Sequence, residues 1–258
     1  MSFAVIIPAR YASTRLPGKL LMEIDGKPML QWVVDAACSS RASQVWVATD
    51  DERIAAAVRH PSRAAAIALM TRADHVSGSD RIAEAVRRLQ LPHDAVVVNV
   101  QGDEPDLPAA LIDQVAQLLL DDANAEMATL STPIVERDEF LDPNVVKVVA
   151  DAAGAALYFS RAPIPWNRDT APSGLTSQTS WPAAQRHLGI YAYRVGALLK
   201  LTTLPPSELE LIEKLEQLRA LQSGMRIRVA QAAQTPGPGV DTPGDLERVR
   251  AARLARRA

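Results

Sequence analysis

Three short stretches hold the residue types that phosphate chemistry requires. The first is Pro8-Ala9-Arg10-Tyr11-Ala12-Ser13-Thr14-Arg15-Leu16-Pro17-Gly18-Lys19, with three cations, Arg10, Arg15 and Lys19, and no acidic residue. A basic loop punctuated by Pro and Gly, fed by an apolar run, has the outline of a phosphate cradle. Backbone N–H groups point at the anion and flexible cations close over it. An ordinary solvated loop has the same composition, so this stretch alone does not decide. The second is Gln101-Gly102-Asp103-Glu104-Pro105. Asp103 suits Mg2+, a hard cation that takes carboxylates, waters and phosphate oxygens. Its other use, capping a helix that begins near Pro108, is disfavoured by the distance between them. The third, Gly239-Val240-Asp241-Thr242-Pro243, offers a second carboxylate. Asp241 or Thr242 just before Pro243 is also a good helix start. From spacing alone the cap is the simpler use. Asp241 gains a share in a metal site only if the chain folds it beside Asp103.

The remaining candidates are more generic. Ser77-Gly78-Ser79-Asp80-Arg81 opens a helix whose N–H groups suit a phosphate, a ribose or a base edge, and a plain capped helix reads the same. Arg161, His187, Glu216 and Gln217 are polar residues amid apolar segments. The four histidines have no metal-ligand spacing, and the single cysteine, Cys38, excludes an internal disulfide and a cysteine-based zinc site. There is no G-x-G-x-x-G after the first apolar run and no G-x-x-x-x-G-K-[ST], so neither a dinucleotide fold nor a P-loop is indicated. Net charge is −2, which gives no global attraction to nucleic acid. The arginines Arg248, Arg250, Arg253, Arg256 and Arg257 therefore read as a solvated helix face or a dimer-edge fringe. No apolar run approaches the ~20 residues of a membrane span, and the chain is read as cytoplasmic.

Elements that position these loops follow from periodicity. Phe3–Ile7, Gln44–Thr49 and Ala95–Val100 read as buried strands, and Ala64–Met70 as a weaker one. Helices are expected from Pro28 to about Ser39, over Glu52–Val58, from Ser79 or Asp80 to Gln90, and from Pro108 to about Leu120. This alternation predicts a parallel sheet covered on both sides, with ligand loops along one edge. In the second half, Val145–Ala150 and Ala155–Ser160 read as a hairpin. A long Pro-, Ser- and Thr-rich loop runs from Arg161 to Gln185. A strand over His187–Tyr193, a helix from Val195 to about Leu204, a helix over Ser207–Gln222 and a short strand at Ile227–Ala230 follow. A final helix begins at Thr242. No linker separates two domains.

Taken together, the stretches resemble the sugar nucleotidylyltransferases, and within them the cytidylyltransferases that activate 3-deoxy-manno-octulosonate (Kdo), an acidic eight-carbon sugar. The resemblance rests on the basic loop with Ile6 and Ile7, on Thr71-Arg72-Ala73-Asp74-His75, on Ser77 to Arg81, and on Asn99 to Pro105. It continues through Tyr158 to Trp166, Arg186-His187-Leu188-Gly189-Ile190-Tyr191, Leu215-Glu216-Gln217-Leu218-Arg219 and Gly239 to Pro243, in family order. It implies an α/β, Rossmann-like nucleotidyltransferase fold: a central mixed, mostly parallel sheet flanked by helices, with a smaller sugar-binding and dimerisation extension. Residues 1–258 form one domain: 1–133 mainly nucleotide-binding, 134–235 mainly sugar-binding and dimerisation, 236–258 the metal-ligand turn and last helix. The implied reaction is CTP plus Kdo giving CMP-Kdo and pyrophosphate, with Mg2+, in a homodimer, for lipopolysaccharide synthesis. By match, Ala9, Arg10, Ser13, Arg15, Lys19, Arg72, Ser77, Gly78 and Asp103 contact CTP, and Asp103 and Asp241 hold the metal. Arg81, Gln101, Arg161, His187, Tyr191, Glu216 and Gln217 face the sugar, and Lys19, Arg15, Asp103 and Asp241 carry the chemistry. A cytidylyltransferase for another acidic sugar such as sialic acid, or a non-catalytic nucleotide-sugar binder, are the alternatives. The chain departs from the pattern at His60 to Ala66, where a Gly pair is missing, and over Asn167–Ala184, the expected lid.

Overall fold

The computed structural model describes residues 2–12, 16–58, 66–170, 174 and 177–255. Ser13 and Arg15 lie outside the described residues, as do Arg256 and Arg257. A nine-stranded mixed sheet organises the rest. Its parallel centre is β6 (Val96–Asn99), β1 (Phe3–Ala9), β4 (Gln44–Thr49) and β5 (Ile67–Met70), in that spatial order. The sheet continues from β6 through β10 (Gln185–Arg194) to β7 (Met127–Pro133) and β11 (Ile227–Gln231). β10 runs antiparallel to both its neighbours, β6 and β7. The expected hairpin forms as β8 (Lys147–Ala150) and β9 (Ala156–Ser160), joined to β10 through β8. A small ribbon, β2 (Glu23–Ile24) with β3 (Lys27–Pro28), stands apart.

Side-chain alternation along β1 shows why the sheet must be covered twice. Phe3, Val5, Ile7 and Ala9 face one core with α1 (Met29–Cys38), α2 (Glu52–Val58), α4 (Ala109–Leu120) and α9 (Pro243–Ala255). Ala4 and Ile6 face the other, with α3 (Gly78–Arg88), α6 (Val195–Leu201) and α8 (Gln217–Gln222). Strands buried on both faces read as continuous apolar runs, as β1 and β6 do. Between β7 and β8 lies the short α5 (Arg137–Leu141). Among the described residues no helix is long and apolar enough to cross a membrane.

Three expectations are corrected. The helix expected at Ser79 or Asp80 begins at Gly78, because Ser77 is the cap: its Oγ accepts from Asp80 N, and Asp80 accepts from Ser77 N in return. The helix expected over Ser207–Gln222 breaks in two. α7 (Glu208–Glu213) ends at Lys214, which takes φ 55, and α8 starts again after Glu216. β7 and α5 were not anticipated at all. Lys147 shows how the second half is tied: fully buried, its Nζ donates to the carbonyls of Asp142, Val145 and Arg161 at 2.8, 2.6 and 2.7 Å. Burial holds its pKa below the ordinary lysine value.

Candidate active site

Loops after β1 and β6 meet at one edge of the sheet, together with the turn before α9. Lys19 is set by local geometry. Gly18 adopts φ 69, and a Cβ there would meet the Tyr11 hydroxyl at 3.0 Å, so this position favours glycine. Gly18 N donates to Tyr11 O at 3.1 Å, tying the loop's two ends. Tyr11 in turn lies under the Arg53 guanidinium, 3.4 Å from its ring centre. A single turn of 3-10 helix, Lys19–Leu21, then carries Lys19 inward.

The Lys19 ammonium donates to Asp103 Oδ2 at 2.6 Å, Val240 O at 2.9 Å and Asp241 Oδ1 at 3.0 Å. The chain thus folds Asp241 beside Asp103. Burial alone would lower the Lys19 pKa, but the Asp103 and Asp241 carboxylates outweigh it and hold the pKa above the ordinary value. The cap of α9 is Thr242 instead: its Oγ1 accepts from Asp245 N, and Asp245 Oδ2 accepts from Thr242 N at 2.7 Å and Asp241 N at 3.1 Å. Val240 N donates to Asp103 O at 2.9 Å, stitching the two acidic loops together. The last helix is anchored by its arginines. Arg253 bonds Asp106 and Pro105 O and lies 3.6 Å over the Trp32 ring, while Arg250 donates to Glu23 O. Leu246 and Val249 are buried in the core. These arginines position Asp241 through the fold.

Two adjoining cavities open here. The first, of about 300 Å³, is lined by Arg10, Lys19, His75, Ser77, Gly78, Arg81, Gln101, Asp103 and Asp241, among others. The second, of about 290 Å³, is lined by Asn99, Gln101, His187, Tyr191, Tyr193, Glu216 and Gln217, among others. Gly78 and Gln101 border both. Gly78 lets the helix approach β1 closely, since a Cβ there would stand 3.3 Å from Pro8 Cγ.

The sequence candidates therefore divide. Gln101, His187, Tyr191, Glu216 and Gln217 gather around the second cavity. The break at Lys214 turns Leu215, Glu216 and Gln217 toward it. Arg81 lines the first cavity, not the second, and is 3% exposed. Its guanidinium donates to Thr71 Oγ1 at 2.6 Å, Arg72 O at 3.3 Å and Asp50 Oδ2 at 3.1 Å. Arg161 and Arg72 border neither cavity. Arg161 donates to Glu213 O at 2.7 Å and Pro143 O at 2.9 Å, and Arg72 extends outward beside Asp74. Ala9 is buried in the core beneath the loop. Ser77 serves as the α3 cap at the wall.

His187 is chemically defined by its contact. Thr129 Oγ1 lies 2.8 Å from Ile190 O and 3.0 Å from Leu188 O, so its one proton is committed to a carbonyl. His187 Nε2, 3.0 Å away, is then the donor, and Nδ1 keeps its lone pair. Burial pushes the His187 pKa down to about 3, so the ring is neutral and a poor base at neutral pH. Asn99 and Tyr193 were missed by sequence reasoning. The available signal was a lone amide ending the run Val96-Val97-Val98 of β6.

Glu104, next to Asp103, is pushed up from about 4.5 to about 7 by burial first and by the Asp103 charge second, with Arg186 opposing. A raised carboxyl pKa means that folding favours the protonated form. The cost of ionising it in the fold therefore grows as pH rises from the unfolded value to about 7, then levels off. Glu104→Gln is expected to raise the melting temperature at about pH 8 and to change it much less at about pH 5. Equal effects at both pH values in a thermal-shift series would contradict this.

The donor set fits a divalent cation. Two carboxylates from separate loops already converge on one cation, the Lys19 ammonium. Among the described residues no group of three or more His, Cys, Asp or Glu forms a metal cage. A pair of carboxylates completed by substrate phosphates and waters suits a divalent cation.

Comparison with known proteins agrees with this geometry. Residues 4–227 match the cytidylyltransferase family. A solved CMP:2-keto-3-deoxy-manno-octonic acid synthetase complexed with CTP is 42% identical, with TM-score 0.88, covering 99% of this chain and 100% of that one. A cytidylyltransferase from Leptospira borgpetersenii serovar Hardjo-bovis shares the fold at 15% identity, with TM-score 0.63, over 99% of this chain and 87% of that one. A family match over most of the chain, with a full-length relative at this identity, means that the chain belongs to the cytidylyltransferase family.

Proposed function

We propose that the chain transfers CMP from CTP to the anomeric hydroxyl of Kdo, releasing pyrophosphate. The observation that carries this is the pair of adjoining cavities: a cation- and carboxylate-lined cleft beside a hydrogen-bonding one with no Lys or Arg in its described lining, sharing Gly78 and Gln101. The solved relative with CTP supports the choice of nucleotide and acceptor.

Nucleotide and acceptor are both anions, so their repulsion must be offset locally. Arg10 and Lys19 supply positive charge in the first cleft, and Lys19 stays protonated because its pKa is raised. Asp103 and Asp241 would hold Mg2+, whose chemistry when bound is to neutralise phosphate charge and polarise the phosphoryl group. Ser77 and Gly78 present the α3 N-terminus to the cleft, where partial positive charge favours phosphate. Gln101 at the boundary orients the acceptor toward the nucleotide. His187, Tyr191, Glu216 and Gln217 hold the sugar by hydrogen bonds. No side chain forms a covalent intermediate: alignment and charge stabilisation suffice for phosphoryl transfer.

The protein works as a homodimer in the cytoplasm in this proposal. Leu157 on the edge strand β9 and Leu211 and Ile212 on α7 are 61, 53 and 70% exposed, as apolar surface awaiting a second copy would be. An acceptor panel with CTP, read as pyrophosphate release with and without Mg2+, tests the reaction. Kdo is expected to be the best acceptor, with release abolished by chelation. Preference for sialic acid would move the assignment to another acidic sugar, and CTP binding with no release for any acceptor would make the protein a binder.

A further inference from the structure

Glu84 is a mostly buried carboxylate that the proposed chemistry does not use. It lies on α3, one turn beyond Arg81, and reaches the connection that runs from β5 to α3. β5 is the end strand of the sheet. Thr71 N donates to Thr49 O at 2.7 Å, and beyond it the connection leaves the ladder, so its backbone groups need side chains or water. Two α3 side chains supply them. Arg81 donates to Thr71 Oγ1 and to Arg72 O, and Glu84 Oε2 accepts from Arg72 N at 3.0 Å. Both backbone groups of Arg72 are therefore held by α3. Glu84 Oε2 also lies 2.5 Å from His75 Nε2, and Oε1 pairs with Arg88 at 2.7 Å.

The charge on Glu84 fixes how these bonds run. Burial alone would raise its pKa, but the Arg72 N–H, His75 and Arg88 outweigh it and hold it below the ordinary glutamate value. An ionised carboxylate only accepts, so His75 Nε2 is the donor. The Glu84 and His75 side chains are 14 and 6% exposed, so water competes little for this bond. The stretch held in this way is a wall of the first cavity. His75, Val76 and Ser77 line that cavity and not the second, and Glu84 lines neither.

We infer that Glu84 is a positioning residue for the nucleotide. Through the Arg72 N–H and His75 it fixes the wall that faces CTP, without lining the cleft itself. This rests on the proposed seating of the nucleotide in the first cavity. Because these wall residues stop short of the second cavity, loss of Glu84 weakens nucleotide binding and leaves the affinity for the acceptor in place.

The test measures CTP affinity by calorimetry and the KM for Kdo by pyrophosphate release, in wild type, Glu84→Ala and Glu84→Gln. Glu84→Ala is expected to raise the CTP Kd about tenfold, the scale of one lost hydrogen bond to a charged group, and to move the KM for Kdo by less than about twofold. Glu84→Gln is expected to recover most of the CTP affinity. Its one carbonyl oxygen still accepts from Arg72 N and His75, while its amide turns toward Arg88, which is half exposed. Val115→Ala, in the core under α4, is the stability control: it is expected to lower the melting temperature with CTP affinity unchanged. Should Glu84→Ala fail to fold, Glu84→Asp, whose carboxylate stops one methylene short of Arg72 N, carries the test with a loss in the same direction. Wild-type CTP affinity in the folded variants, an equal rise in the KM for Kdo, or a Gln variant as weak as the Ala variant overturns the positioning role. CTP binding by wild type without pyrophosphate release overturns the reaction alone, since calorimetry still reads the wall. No CTP binding by wild type overturns the nucleotide assignment and the positioning role together.

Discussion

Lys19→Ala is expected to lower the rate of pyrophosphate release by ~10²-fold or more, the scale of losing one donor to developing charge. The structure adds a second signature. In the protein alone, Lys19 neutralises Asp103 and Asp241 at 2.6 and 3.0 Å. Without it the two carboxylates lose the ammonium they share, and like charges in a partly buried site repel. The variant is therefore expected to melt lower than wild type in chelator, and to gain more from added Mg2+ than wild type does. Lys19→Arg is not expected to restore either property, because a planar fork does not reproduce an ammonium bound to three separate oxygens. Kinetics equal to wild type, with an equal thermal response to Mg2+, would remove Lys19 from the mechanism.

Asp241→Asn has the second large expected effect: a ~10²-fold or greater loss of turnover that added Mg2+ does not fully repair, with the fold intact. The fold should survive because Thr242 and Asp245, not Asp241, cap α9. Thr242→Ala supplies the contrast. Losing that cap should cost about 1 kcal/mol of stability, with a far smaller effect on turnover. Thermal melts beside steady-state rates separate the two variants. Near-wild-type turnover of Asp241→Asn would show that the carboxylate is dispensable and that one acidic loop is enough.

Much of this site was legible because its parts lie at element ends. The Lys19 loop and the Asp103 turn follow strands whose apolar runs are plain, and the sheet edge collects such loops. Cap and ligand at Asp241 were indistinguishable in the sequence, since a carboxylate before Pro243 suits both. The structure gives the cap to Thr242 and brings Asp241 to Lys19 beside Asp103. β7 was hidden for a different reason. Its residues Thr129, Ser131 and Thr132 look like a loop, yet all are buried. Thr129 is satisfied by carbonyls of β10 where the β7–β10 register shifts between Leu188 and Tyr191, and Ser131 donates to Gln185. A polar central strand depends on partners supplied by distant chain. The break at Lys214 was also invisible. Helix periodicity runs through it, and the cause is tertiary: Glu213 is drawn to Ser160 Oγ and Arg161 N at 2.6 and 2.9 Å.

The stitch between the two acidic loops has a consequence for the order of synthesis. Lys19 meets a partner 222 residues further along the chain. While the polypeptide is being made, the cleft's first wall and Asp103 exist long before Asp241 does. A ribosome-bound intermediate can complete the parallel centre of the sheet and still lack one carboxylate. On the proposed function, a chain that ended before α9 would hold one acidic loop of the two, and competence would arrive only when the turn before α9 docks on the Asp103 loop.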